Sequence, residues 1–355
     1  MTLVDSTATA KRDQLRPAVW TRICRRDDLE PLWGEAALVG RSQVAVFRLP
    51  DERILAVGNA DPVTGASVMS RGLVGSRGTR TTLASPLHKD VYDLETGECL
   101  TRPGELRLPV WRVRETEGWV EVAASHSLIA ASHGTSDPEG RRAVASLVAA
   151  VARARPELAV HESFVDVQEP DVPSVLATQD PHSGAVIVPL LLSAGYHVHV
   201  DLAEAASAAG LDARVTGALG PDPRLVTVLM RRLSEAGVVC VDADTRVVLA
   251  AAGSSDARAT ADCMTTGEAL AAALGVPVGV GFVSAAAPRL TDAVAEARAH
   301  GGRVVVATYL LAPGYFADLV AASGADIVTA PLLRADEDPP AELVELVSDR
   351  FDLAL

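Results

Sequence analysis

Two histidines have the surroundings of working side chains. His133 sits in AASHGTSDPEG and His197 in PLLLSAGYHVHVD, and each follows an apolar run and leads into a helix-forming stretch. Asp137 and Pro138 suit the N-cap and first position of the helix after His133, and Asp201 lies four residues beyond His197 on the same helical face. Imidazole suits Fe(II), Co(II), Ni(II) and Zn(II), and as a neutral base it takes protons near physiological pH. Two such rings on loops at one sheet edge can converge on a divalent ion. A third segment, FVDVQEP, supplies Asp166 and Glu169 at the end of another apolar run. They are either solvated loop carboxylates or groups near the histidines that help capture a metal or accept a proton.

The chain contains its own control. LIAASHGTSDPEG is answered by RVVLAAAGSSDAR, SFVDVQEPDV by GFVSAAAPRL, and VIVPLLLSAGYH by VVVATYLLAPGYF, in the same order. Gly134, Ser136 and Asp137 match Gly253, Ser255 and Asp256, whereas His133 is replaced by Ala252, His197 by Phe316, Asp166 by Ser284 and Glu169 by Ala287. A fold repeated without the histidines does not need them, so the pair belongs to function. Gly134, Gly195, Gly253 and Gly314 stand in both copies, as turn geometry requires. No GxxxxGK[ST] or GxGxxG motif is present, so no nucleotide is expected. His199 is expected at a rim or surface, and His161, His182 and His300 have no evident partners.

The elements that must position these residues are four strands with intervening helices per copy. Strands are expected near 127–132, 159–166, 184–190 and 213–217, then near 246–251, 277–283, 303–309 and 325–329. Right-handed crossovers turn each set into a doubly wound parallel sheet, and ligands of such sheets bind beyond the carboxyl ends of the strands. Before residue 125 the pattern differs. All four tryptophans lie there, with short β-like runs broken by Gly, Pro and Asp, which predicts a small antiparallel β domain. The expected order is a disordered stretch over 1–17, an all-β domain over 18–124, and two tandem α/β domains over 125–238 and 239–355. A short solvated linker with His126 is expected at 123–127.

The 355 residues carry a formal charge of −14, and none of the excess acid lies in the first 124 residues, which balance 17 basic against 17 acidic side chains. The remainder has 15 arginines, no lysine and 29 acidic residues. Such a surface repels nucleic acid and anionic lipid, so neither is an expected partner. No apolar run reaches the roughly 18–20 residues of a membrane span, and the first residues show no signal-peptide core. The chain is read as soluble and cytoplasmic. Cys24, Cys99, Cys240 and Cys263 form no CxxC pair and are expected as buried thiols.

At Ser132-His133-Gly134, Phe164 with Asp166, and Pro189 through His197 and Asp201, the sequence resembles the sirohydrochlorin chelatases of the long, duplicated CbiX type. Asp166 stands where that family usually has Glu, leaving open whether Asp166 or Glu169 assists. The resemblance implies insertion of Fe(II), or alternatively Co(II), into sirohydrochlorin without ATP. His133 and His197 would present the metal and accept the two pyrrole protons, with Asp166 and Glu169 as further metal candidates. Ser132, Gly134, Ser193, Gly195 and Tyr196 would contact the substrate. Its carboxylates call for placed arginines, with Arg141, Arg214, Arg224 and Arg289 as candidates.

The first domain resembles a Rieske-like fold at GNADPVTGASVMSRGLVGSRG and SPLHKDVYDLETGECL. A Rieske cluster needs Cys-x-His twice, and the corresponding residues are Asn59 and Asp61, then Ser85 and His88, so no iron–sulfur cluster is expected. His88 is expected to be structural. This cluster-less pattern is similar to the small subunit of assimilatory nitrite reductase, whose large subunit uses sirohaem. The pairing implies iron insertion linked to nitrite reductase, with its large subunit as a partner. A nickel chelatase, a metal-storage protein and a non-catalytic sirohaem-binding assembly subunit are the other readings.

Overall fold

The computed structural model describes residues 20–40, 42–124, 126–155, 158–179, 184–193, 195–238, 241–242 and 244–354; the side chains of 124 and 196–199 are outside that description. The expectations for 1–17, His182, Cys240 and the side chains of Tyr196, His197 and His199 lie outside the described residues. Two compact units emerge, the first ending at Ser127 and the second comprising Leu128–Ala154 and Val160–Ala354.

The first unit is antiparallel. Strands β1 (Thr21–Arg25), β2 (Gly34–Val39), β3 (Ser42–Arg48), β4 (Ile54–Gly58), β8 (Val110–Thr116) and β9 (Trp119–Ala124) form one sheet in the order β1-β9-β8-β4-β3-β2. A second sheet joins β5 (Leu73–Arg77), β6 (Arg80–Ala84) and β7 (Val91–Asp93). Phe47 and Val57 from the first sheet bury against Leu83, Tyr92, Leu94 and Cys99 around the second, the alternation of β3 and β4 turning these residues inward. Of the expected linker at 123–127, residues 123–124 and 126–127 are instead strand. β9 runs to Ala124 and β10 (His126–Ser132) begins two residues later, leaving His126 half-buried at the strand start.

In the second unit β10 lies between β11 (Val160–Phe164) and β12 (Gly184–Pro189), with β13 (Ala213–Val215) at the far edge. β14 (Thr245–Ala251) takes the same place between β15 (Val278–Phe282) and β16 (Arg303–Tyr309), with β17 (Ile327–Val328) beyond. Both orders read 2-1-3-4, and the recorded pairings are parallel. The strands fall within a residue or three of the expected bounds. Their near-continuous apolar runs suit strands covered on both faces.

Helices close the faces. α1 (Pro138–Ala154) buries Ala143, Val144, Leu147, Val148 and Val151 at helical spacing, and Asp137 Oδ1 accepts the N–H groups of Glu139 and Gly140, both at 2.8 Å. α2 (Val172–Leu176), α3 (Tyr196–Ala208) and α4 (Pro223–Glu235) complete the first half. α5 (Ala257–Leu274), α6 (Leu290–Ala299), α7 (Tyr315–Ala321) and α8 (Ala341–Asp352) belong to the second. α8 reaches across to pack on α1 and α4, and Arg350 donates to the carbonyls of Ala218 and Leu219 at 3.0 Å each. Arg232 of α4 is almost wholly buried between Glu235 and Glu337 and donates to the Leu332 carbonyl at 2.9 Å. Among the described residues no helix is long and apolar enough to cross a membrane.

Candidate metal-capture site

β10 ends at Ser132, and His133 opens the turn before α1. That turn is stitched to the loop after β11. Val165 N–H donates to the Ser132 carbonyl at 2.9 Å and Asp166 N–H to the His133 carbonyl at 3.1 Å. Gly134 has φ +90°, and a β-carbon there would sit 2.3 Å from the Asp166 carbonyl oxygen, so only glycine lets the two backbones approach. The His133 side chain is exposed beyond this stitched turn.

The second half repeats the scaffold and drops the chemistry. Val283 and Ser284 donate to Ala251 and Ala252 at 2.9 Å each, and a β-carbon at Gly253, also at φ +90°, would meet the Ser284 carbonyl at 1.9 Å. The peptide bonds Glu169-Pro170 and Ala287-Pro288 are both cis. The corresponding loops therefore share one backbone path, while Ser132, His133 and Asp166 face Ala251, Ala252 and Ser284 in the copy.

Ser132 is 4% exposed, and its hydroxyl has no hydrogen-bond partner among the described residues. Asp166 is exposed, with Oδ1 accepting its neighbour Val167 N–H at 2.8 Å. Glu169 is exposed too, and its Oε2 accepts from Asp171 N–H at 3.1 Å, which turns it towards the start of α2. Gly195 is the N-cap of α3, so Tyr196 and His197 are that helix's first residues, on the loop leaving β12, the strand beside β10. The two histidine-bearing loops thus leave the same edge of adjacent strands. Asp201 is exposed one turn further on. Among the described residues, which exclude the His197 side chain, no three His, Cys, Asp or Glu groups gather as a metal cage.

The loops at the carboxyl edges of the two sheets meet. Ser193, half-buried, hydrogen-bonds the Cys263 thiol of α5, whose burial pushes it up to about 11. The Tyr309 hydroxyl, raised by burial, donates to the Leu192 carbonyl at 3.0 Å. A β-carbon at Gly195 would lie 3.9 Å from Ser254 Oγ, one at Gly140 would lie 2.4 Å from the Pro313 carbonyl, and one at Gly314 would lie 3.3 Å from Thr135 Oγ1.

Sequence reading missed the hub of this arrangement. Thr135 N–H donates to Gln168 Oε1 at 2.8 Å, and the Thr135 carbonyl accepts Arg141 Nε at 2.8 Å. The signal was present in the copies, since Gln168 faces Ala286 across the duplication. Of the four candidate arginines, Arg214 is engaged with Asp212 and Arg224 with Asp222 and Asp349. Arg141 and Arg289 are exposed and, among the described residues, hold carbonyl oxygens rather than carboxylates.

In the first unit the residues at the cluster positions do not fit an iron–sulfur group. Asp61 is fully buried, accepts the Ser85 hydroxyl at 2.6 Å and takes N–H bonds from Val63 and Thr64. Burial would push its carboxyl up, but these donors outweigh it and hold it below the usual range. Asn59 Oδ1 accepts Ser70 N–H at 2.7 Å, and His88 is exposed. With Asn59 and Ser85 in place of the two thiolates and Asp61 in place of one imidazole, His88 alone remains of the four ligands a Rieske cluster needs.

A duplicated parallel sheet with paired loops at its carboxyl edges defines the class of the second unit. The CbiX family model matches residues 127–236 and 246–330, together more than half of the chain, and a model of Rieske-like 2Fe-2S domains matches residues 19–123. The chain belongs to the CbiX family, with an N-terminal domain of the NADH nitrite reductase small-subunit family. That small subunit from Salmonella typhimurium strain LT2 is 42% identical over 82 residues, 23% of this chain and 76% of the relative. The NAD(P)H nitrite reductase large subunit of Klebsiella oxytoca is 36% identical over 104 residues, covering 29% of this chain and 11% of that protein. SirB from Bacillus subtilis, solved with Fe3+, shares the fold of the second unit at a TM-score of 0.54 and 19% identity, covering 64% of this chain and 95% of that one.

Proposed function

We propose that the chain is a sirohydrochlorin ferrochelatase that inserts Fe(II) to make sirohaem, linked to nitrite reductase through its first domain. The reading rests chiefly on the difference between the two halves: the same stitched turn carries an exposed imidazole at His133 and only a methyl at Ala252. An imidazole that the fold demonstrably does without is available for chemistry.

Metal insertion exchanges two pyrrole N–H protons for one divalent ion, so the site must hold a metal loosely and receive two protons. His133 and His197, on neighbouring loops of one sheet edge, supply two ligands that can yield the ion to four ring nitrogens and two bases for the protons. Ser132 supplies a buried hydroxyl free to face the substrate. Asp166 or Glu169 adds negative charge near the entering cation.

The first domain favours iron over cobalt, because its relatives are nitrite reductase subunits and a sirohaem enzyme is a natural recipient of the product. The nitrite reductase large subunit is the proposed partner, and the cytoplasm the proposed compartment. Anaerobic insertion assays with Fe(II), Co(II) and Ni(II) in competition, followed by the absorbance of the metallated ring, test the reading. Iron is expected to give the highest kcat/KM. Full activity in His133→Ala and His197→Ala would refute the site, and tight sirohaem binding without turnover would favour an assembly subunit.

A further inference from the structure

The starts of α1 and α7 press together at the mouth of the first sheet. Gly140 lies against the Pro313 carbonyl and Gly314 against Thr135, so the helix starts that carry Arg141 and Tyr315 meet beside the turn that follows His133. Tyr315 is 69% exposed and Phe316 37% exposed, with ring centroids 6.1 Å apart. Neighbouring aromatic side chains left in solvent are uncommon on a finished surface. Arg141 is held to the Thr135 carbonyl and carries no carboxylate among the described residues, although the adjacent Arg142 faces Glu139 at 3.8 Å in this acid-rich half of the chain.

An aromatic pair and a guanidinium with no carboxylate partner among the described residues, on helix starts that meet, suit a ligand with a flat apolar face and anionic edges. We infer that Tyr315 and Phe316 of the second half receive the face of the tetrapyrrole, while Arg141 pairs with one of its peripheral carboxylates. The inference rests on the chelatase reading and adds to it a role for the half that lacks the histidines. Phe316 stands where the first half has His197, so the duplication divides labour. One copy handles the ion and the other seats the ring.

The test is fluorescence titration of the full chain with metal-free sirohydrochlorin, paired with steady-state iron insertion. Phe316→Ala and Arg141→Ala are each expected to raise Kd and KM about tenfold, the loss of roughly one good contact, with kcat within about threefold. Arg141→Lys should recover part of the affinity, Arg142→Ala should match wild type, and His133→Ala should bind normally without inserting metal. If wild type binds and inserts while the Phe316 and Arg141 variants bind equally well, the seat is wrong and the chelatase stands. If wild type neither binds nor inserts, the chelatase reading falls and the seat with it.

Discussion

Asp166 N–H donates to the His133 carbonyl at 3.1 Å, and Ser284 N–H makes the same bond to Ala252 at 2.9 Å. The bond uses only backbone, so it survives any side chain at either position. His133→Ala therefore recreates a turn that the protein already contains. Its unfolding free energy should stay within about 0.5 kcal/mol of wild type, while iron insertion falls by about two orders of magnitude or more. Urea unfolding beside the insertion assay checks both halves of this expectation, and a fall in both together would mark the histidine as structural.

Gly134 and Gly253 should behave alike under substitution. Each has φ +90°, and an added β-carbon would overlap a carbonyl oxygen, so Gly134→Ala and Gly253→Ala should each cost about 1–3 kcal/mol. Denaturation midpoints measure this directly. A neutral result would mean that the stitched turn can open.

Ser132 offers the opposite trade. Its buried hydroxyl has no partner among the described residues and the second half has Ala251 in its place, so Ser132→Ala should leave stability unchanged or raise it by about 1 kcal/mol. On the proposed role of the hydroxyl in meeting the substrate, insertion should nonetheless slow. A variant equal to wild type in turnover would show the hydroxyl to be idle.

Asp61 gives the first domain a pH signature. Its carboxyl is held below the usual range, so the stability it contributes is present in full above an ordinary carboxylate pKa of about 3.9 and is lost as pH falls through the depressed value. Asp61→Asn removes the charge at every pH. The difference between wild type and variant should be largest near neutrality and shrink in acid, read from urea midpoints on the first domain's tryptophans. A gap that does not change with pH would place the effect elsewhere.

Much of this was legible from residues alone. Apolar runs of five to seven residues separated by helices located six strands of the second unit, because a strand covered on both faces has little choice of side chain, and the short edge strands β13 and β17 followed from the repeat. The duplication located both histidine loops. Contacts between distant loops were not legible. Nothing local to Thr135 announces that it bonds Gln168 and Arg141 and abuts Gly314, since those neighbours arrive from three other places in the chain. The stretch at 123–127 misled for a local reason. Small polar residues read as a linker, yet β9 runs into it to Ala124 and β10 starts within it at His126.

Arg232 carries a wider consequence. Its buried guanidinium belongs to the first half and is neutralised partly by Glu337 of the second, while Arg350 of the second caps carbonyls of the first. Removing the second half would take Glu337 and the Leu332 carbonyl from Arg232, leave it Glu235 alone, and uncover the face of α4 on which α8 packs. The two halves therefore complete one another's interior, and the half without the histidines is part of the scaffold that carries them.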